Sequence, residues 1–514
     1  MALNDLASRF PRTVEAMRAL PGGEGSLAHI EQLDRGFRDR PADIAVTDDG
    51  PGSGAMDFDV ALAGGGLSLI YAAYLARAGW RVTVFDRGRI GRSHREWNIS
   101  RRELAPLVES GLFSVAEVER LVLAQYDRGI VRWHGGDTYV VREVLDCVID
   151  AEALLARLRA LAVEAGAVLL EGHRLAGYRV GLGGVEVSLA TESEGGAGVR
   201  RFTTRLLVDA MGAMSPHARF DLVCPTVGGV LDGLDVGGAP DEMDPAVGEI
   251  LASTEGVEER RQHIWECFPG PRRAGGEGGR AAVYLFYYCE PDTLGERPLF
   301  ELYERFFRLR SRYKRGDAAR LSKATYGYIP AYTRLSPTPT APSDRVILVG
   351  DAAGRHSPLT FCGFGSMIRS FRPVGDALRD RLERDRLSRR SLASVWTEPP
   401  CLRLVGALAL MMIPFGERGA SGPARGDMTR QGPDEINRLL DVAFRTLAGM
   451  GQGTYAQMVR DEIGVRDFRE FMLRTARLRP TIYREVFQHL TPPEIAVWSA
   501  QLAGLTARSW LGRS

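Results

Sequence analysis

The stretch Asp57 to Arg87 constrains this chain most. Asp57-Phe58-Asp59-Val60-Ala61-Leu62-Ala63 is a short apolar run, followed by Gly64-Gly65-Gly66. Leu67 to Ala78 is rich in alanine and other apolar residues and stops at Gly79. Trp80 to Arg87 is a second apolar run, closing on Asp86. Together these outline a strand–helix–strand unit. Gly64 and Gly66 begin a G-x-G-x-x-G fingerprint. Such glycines permit a tight turn and let backbone N–H groups approach a diphosphate at the helix N-terminus. Asp86 lies 22 residues after Gly64, where an acid takes ribose hydroxyls. Leu69 replaces the third glycine, with Ser68 beside it. Glycines alone fit any strand-to-helix turn; the second strand and its acid favour a dinucleotide site. Its candidate residues are Gly64, Gly65, Gly66, Ser68, Asp86 and Arg87.

A second motif lies far downstream. Arg345-Val346-Ile347-Leu348-Val349-Gly350-Asp351-Ala352-Ala353-Gly354 is a buried strand ending in Gly-Asp, before small residues and a helix. In flavoproteins with such a motif the aspartate accepts hydrogen bonds from the ribityl chain, and the helix N-terminus faces the flavin. Pro358, Gly363 and Gly365 then allow close backbone approach to the ring. Between the two motifs, Arg200 to Val208 is a strand leading to Asp209-Ala210-Met211-Gly212, where such proteins pass the chain back under the cofactor. Gly212, Gly350, Asp351, Gly363 and Gly365 therefore join the cofactor set. Arg101, just after Trp97 and Asn98, is a candidate phosphate partner.

These motifs predict an α/β fold: a Rossmann-like FAD-binding domain of the glutathione-reductase/hydroxylase type, an inserted antiparallel-sheet substrate domain, and a helical C-terminal region. Residues 1–55 read as a helical extension and linker, a lid packed on the domain that follows. Residues 56–220 and 341–390 form the FAD-binding domain. Residues 221–340 contain aromatic, strand-like runs at His263–Phe268, Ala281–Tyr288 and Tyr326–Tyr332, with a basic helix around Glu301–Tyr313. Such a surface suits an apolar substrate. Residues 391–514 read as mostly helical, with a Gly/Arg-rich loop at Gly416–Gly432. Asp150 to Gly166 is a helix with Asp150 as its N-cap.

Charge and cysteine usage narrow the class. The chain of 514 residues carries 66 basic and 65 acidic residues, so bulk charge gives no sign of nucleic acid. Six cysteines are scattered without a C-x-x-C pair, which argues against a metal cluster and fits a reducing cytosol. No metal site is expected. Asp5 and Arg9 interrupt any signal-peptide core. The arginine-rich Arg369–Arg390 reads first as a solvated helix face; the apolar run Leu404–Phe415 that follows it, too short to span a bilayer, makes a membrane-surface patch the alternative.

Taken together, the chain resembles the lycopene cyclases of the CruA/CruP type, which are FAD-dependent flavoproteins. The resemblance rests on Glu96-Trp97-Asn98-Ile99-Ser100-Arg101 with Glu103-Leu104, on Asp209-Ala210-Met211-Gly212 with Ser215-Pro216, and on Trp265-Glu266 with Phe268-Pro269. It extends to Tyr284-Leu285-Phe286, Gly327-Tyr328 with Pro330, Gly350-Asp351, and Ser357-Pro358-Leu359 with Phe361 and Gly363-Phe364-Gly365. The chain departs from the pattern at Leu67-Ser68, at His356 (usually Gln) and at Cys362 (usually Gly). The resemblance implies cyclisation of a linear carotene end group to a β-ring, requiring reduced FAD, with NAD(P)H as candidate reductant and no net redox change. It implies a polyene or isoprenoid substrate reached from the membrane surface. The alternative is an FAD-dependent monooxygenase or oxidoreductase acting on another apolar substrate. Cyclisation needs an acid protonated near neutral pH, so a carboxyl among apolar groups is sought. Glu266, between Trp265 and Phe268, is the first candidate and Glu290 the second. Strand alternation leaves open whether Glu266 faces a cavity or solvent.

Overall fold

The structure is a computed structural model and describes residues 3–38, 44–93, 95–193, 196–271, 278–333, 340–356, 359, 363–414, 435–487 and 490–510. Among these, the strands form sheets of eight, seven and three. Strand Gly196–Asp209 is the spine of the first sheet. Its beginning pairs antiparallel with Val185–Ser193. Its end is flanked in parallel by Phe58–Ala63 and by Val346–Leu348, with Asp209 in register with both Ala63 and Leu348. Val60 to Ala63 are fully buried, as expected for a parallel strand covered on both faces. Helices Leu69–Arg77, Ala151–Glu164 and Gly363–Glu383 supply apolar faces to the same core. Asp150 caps the second of these, accepting from the Ala153 N–H at 2.9 Å. The fold class read from the sequence is the one observed.

The second sheet runs in the order Arg320–Ala331, Leu222–Leu234, Gly279–Phe286, Ile264–Pro269, Val247–Ala252, Arg128–Arg132, Thr138–Val141. All neighbours are antiparallel except Val247–Ala252 with Arg128–Arg132. Two of its strands thus come from within the segment assigned to the first domain. Alternation divides the sheet into two faces. Trp265, Cys267, Val283, Leu285 and Val227 share a core with helix Pro298–Tyr313, where Trp265 stacks on Tyr313 at 4.9 Å. The other face carries Glu266, Phe268, Tyr284, Thr226 and Thr325, placed by the ladder Glu266–Tyr284–Gly228–Thr325.

The N-terminal helices Leu3–Arg9, Pro11–Arg18 and Gly23–Arg38 share a core with helix Pro298–Tyr313 and the edge strand Arg320–Ala331, and they also meet the domain that follows through Phe37 against Phe220 at 5.8 Å. Phe10 stacks on Phe300 at 5.4 Å and Phe37 on Tyr328 at 4.2 Å, so aromatic complementarity decides the partner.

The C-terminal region is helical from Glu435–Gly449 through Pro492–Trp510. The run from Leu404 to Ile413 is interior, packed among these helices, and cannot serve as the membrane-facing surface it suggested. Its end at Phe415 and the Gly416–Gly432 loop lie outside the described residues. On helix Gly363–Glu383, Ile368, Phe371, Val374, Leu378 and Leu382 face the core, while Arg372 pairs with Glu109 and Arg384 with Asp380. That is a solvated arginine face. No described helix is long and apolar enough to cross a membrane.

Asp34 on helix Gly23–Arg38 is buried, accepting from the Leu299 N–H at 3.3 Å and from the Tyr328 hydroxyl. Burial pushes its carboxyl from 3.8 up to about 7, outweighing these bonds. The folded-state value is raised, so the stability contributed by the protonated group is complete below pH 3.8 and is lost as pH rises through about 7. Asp34→Asn keeps an acceptor and removes the ionisation. Its melting temperature should exceed wild type by roughly 1–3 °C at about pH 8 and lose that advantage near pH 4. Thermal melts at the two pH values check this.

Candidate active site

The parallel ends of the first sheet bring its turns together. The Gly64 turn follows Ala63, Gly212 follows Asp209, and Gly350-Asp351 follows Leu348. Gly64 has φ +109, and a Cβ there would meet the Ala210 carbonyl oxygen at 2.7 Å, so only glycine fits. Beside this turn lies a cavity of about 420 Å³ bounded by Gly64, Gly65, Gly66, Asp86, Arg87 and His29, among others. Asp86 holds the turn itself: its carboxylate accepts from the Gly65 N–H and the Gly88 N–H, each at 2.7 Å. Each oxygen keeps a further lone pair for a ribose hydroxyl. Ser68 is buried, and its hydroxyl donates to the Gly64 carbonyl. It stabilises the turn instead of facing the cavity, with Leu69 buried where the third glycine was expected.

A second cavity, of about 170 Å³, lies between the sheets. The first sheet's side gives Asp351 and Gly363, whose missing Cβ would sit 3.3 Å from Asp351 Oδ1. Gly350, at φ +61, makes the turn that delivers Asp351. Trp97 stacks on Phe364 at 4.9 Å, giving the wall a flat aromatic face. Asn98 Oδ1 is buried there without a hydrogen-bond partner among the described residues. The second sheet gives Glu266, Phe268, Tyr284, Thr226 and Thr325.

Glu266 is the chemically distinctive group. Its parity in the strand turns it to the cavity, and no described residue hydrogen-bonds or pairs with its carboxyl. Desolvation alone raises it from 4.5 to about 8. It is a neutral acid at physiological pH, able to donate a proton. Glu96, in the same wall, is managed the opposite way: its carboxylate pairs with Lys323 at 2.7 Å.

Other sequence candidates fall elsewhere. Glu290 lies beyond the end of strand Gly279–Phe286 and begins the turn Pro291–Thr293, its carbonyl accepting from Thr293; it lines neither cavity. Arg101 also lines neither: its guanidinium pairs with Glu119 and its backbone N–H with Asp146. At Gly365 a Cβ would meet the Glu103 carboxylate at 2.7 Å, so this glycine makes room for the buried Glu103–Arg369 pair instead of facing the cavity. Glu103 also closes a capping box with Ser100, which fixes the segment after Trp97 and Asn98. Gly212 lies 3.8 Å from Asp351 Cβ, measured from the position its own Cβ would take. Ser357, Pro358, Phe361 and Cys362 lie outside the described residues; His356 is buried and lines the second cavity. Sequence reasoning missed Lys323 and His29. Lys323 is one of two lysines in the chain, which was the available signal.

These features fit a dinucleotide with a flat ring system: a turn no side chain could share, a ribose-ready acid, and an orphaned amide oxygen beside an aromatic wall. No protein-family model matches the chain, and no curated protein matches it. Among solved structures it is similar to the halogenase PltM, with a TM-score of 0.52 and 13% identity over 89% of this chain and 93% of that one. It is similar also to PltM in complex with phloroglucinol and FAD, with a TM-score of 0.51 and 14% identity over the same shares. A geranylgeranyl bacteriochlorophyll reductase-like protein from Thermoplasma acidophilum aligns with a TM-score of 0.49 and 16% identity, covering 87% of this chain and 100% of that one. The PltM likenesses place the chain in the FAD-binding flavoprotein fold class. At these identities they establish fold alone.

Infrared difference titration of wild type against Glu266→Gln should reveal one carboxyl that deprotonates near pH 8. A difference band titrating near 4.5 would show instead that water reaches Glu266 freely.

Proposed function

We propose that the protein is an FAD-dependent enzyme performing acid–base chemistry on an apolar unsaturated substrate, and specifically a lycopene-cyclase-like isomerase. The observation that carries this is Glu266: a carboxyl kept protonated by burial, without a partner among the described residues, in a cavity with aromatic walls next to Gly350-Asp351. Gly64, Gly66, Asp86 and Arg87 would hold the adenosine diphosphate half of FAD, and Asp351 with Asn98 the ribityl and ring half. Reduced FAD supplies a negatively charged, π-rich face that favours a cationic transition state. NAD(P)H is the candidate source of its electrons.

The protein's own groups do the rest. Glu266 donates its proton to the terminal double bond of a linear carotene. Trp97, Phe268 and Tyr284 exclude water, and their faces stabilise positive charge by roughly 0.5–2 kcal/mol each. The Glu266 carboxylate so formed takes a proton from the ring carbon beside the cation, so one C–H bond forms, another breaks, the acid is restored and no net oxidation occurs. Such a substrate partitions into lipid, so this reading includes peripheral contact with a membrane surface. The chemistry calls for neither nucleic acid nor a metal ion.

Expression in a lycopene-accumulating bacterial host, with pigments separated by chromatography, should yield γ- or β-carotene. Glu266→Gln should lower this conversion by about 100-fold or more while flavin content stays at the wild-type level. Wild-type conversion by that variant would remove Glu266 from the mechanism. Lycopene left unchanged, with NAD(P)H or oxygen consumed in proportion to another product, would favour an oxidoreductase. The acid form of Glu266 is lost above its folded-state value, so turnover should fall as pH rises through about 8.

A further inference from the structure

The N-terminal extension reaches the dinucleotide cavity. Helix Gly23–Arg38 lies along the edge strand Arg320–Ala331 of the second sheet, and His29 lines the same cavity as Gly64–Gly66 and Arg87. Farther along the helix, the Met214 methyl lies 3.6 Å from the position a Cβ on Gly36 would take, and Met214 lines the cavity too. The imidazole is held from behind: Nδ1 is 3.1 Å from the Tyr326 hydroxyl, with the rings edge to face at 5.5 Å. Burial, then the charge of Arg87, lowers its pKa from 6.5, so the ring is neutral at physiological pH. A histidine merely filling core would pack among apolar side chains. His29 instead borders an open cavity with a cation, an acid and a glycine turn on its other walls. That combination suits an anionic, hydroxyl-bearing ligand.

We infer that His29 hydrogen-bonds the diphosphate–ribose half of the bound dinucleotide, making helix Gly23–Arg38 a wall of that site, and that Tyr326 fixes the imidazole there. The inference rests on the flavin reading above, but it concerns residues no dinucleotide fingerprint contains. It also gives the extension a role in binding besides covering helix Pro298–Tyr313. Since Tyr326 also lines the second cavity, with Thr325 and Gly327 of the same strand, the two cavities share this strand as a common support.

The test is titration of the flavin-free full-length protein with FAD, ADP and FMN, followed by calorimetry. Kd for FAD and for ADP should rise about tenfold in His29→Ala, the ~1.4 kcal/mol that one hydrogen bond contributes. FMN, lacking the adenosine half, should bind the variant within about twofold of wild type. His29→Gln should recover most of the loss, and Tyr326→Phe should raise Kd for ADP about threefold by freeing the ring. Equal Kd values for ADP in wild type and His29→Ala would overturn the inference. If His29→Ala loses its wild-type circular dichroism, His29→Gln decides: wild-type ADP affinity supports the contact, and a loss as large as a cavity mutant's overturns it. A wild-type protein that binds ADP but not FAD would overturn the flavin reading while leaving His29 to be judged on ADP. Binding of neither overturns both.

Discussion

Everything at the site depends on one alignment: Asp209 sits in register with Ala63 on one side and Leu348 on the other. Backbone bonds lock it, from the Ala210 N–H to the Ala63 carbonyl at 2.9 Å and from the Val349 N–H to the Asp209 carbonyl at 2.9 Å. Three segments spread over nearly 290 residues thereby end at one edge. In open α/β sheets the ligand crevice lies outside the carboxyl ends of the strands, because there the turns expose backbone N–H groups and helix N-termini. A slip of one residue in Val346–Leu348 would turn its side chains to the opposite face and carry Asp351 away from the cavity. Backbone bonds on both sides of the strand resist that slip: the Leu207 N–H donates to the Arg345 carbonyl at 2.9 Å and the Leu348 N–H to the Thr340 carbonyl at 2.7 Å.

The legible parts of the sequence are those whose chemistry is local. The Gly64 turn, its acid at Asp86 and the Gly350-Asp351 turn are short-range patterns, and all border the two cavities. The helix capped by Asp150 is legible for the same reason. Glu266 was nameable but not orientable. Alternation gives its parity relative to Trp265, but which parity faces inward depends on helix Pro298–Tyr313 covering Trp265, more than thirty residues later. Arg101 was misplaced because its partner Glu119 sits on another helix. Glu290 was drawn into the aromatic strand by composition, whereas the ladder ends at Phe286. The run Leu404–Ile413 has the composition of a membrane contact and the position of a core, and only its packing partners distinguish the two.

The two long-range surprises share a cause. Strands Arg128–Arg132 and Thr138–Val141 join the second sheet, and the N-terminal helices dock near residue 300. Both bear on exposed edges: the first carries the sheet's edge out to Thr138–Val141, where helix Glu435–Gly449 packs against it and Asp441 accepts from the Tyr139 hydroxyl at 2.6 Å, and the second covers the opposite edge at Arg320–Ala331. Amphipathic periodicity shows that a face must be covered, but the partner is set by shape and by particular contacts such as Phe37 on Tyr328. The same docking carries His29 to a cavity that the fingerprint alone would leave with one wall fewer.

Glu96 and Glu266 show why a protein builds one carboxyl with a partner and another without. Lys323 gives the Glu96 carboxylate a counter-ion at 2.7 Å. Glu266 has no such partner among the described residues, and desolvation penalises only its charged form. While protonated it adds little electrostatic cost, so its stability contribution is complete below pH 4.5 and is lost as pH rises through about 8. Adding a cation beside it would stabilise the folded state at alkaline pH and abolish the acid. Two carboxyls in one cavity thus meet different surroundings: Glu96 has a lysine beside it, and Glu266 has no charged partner among the described residues.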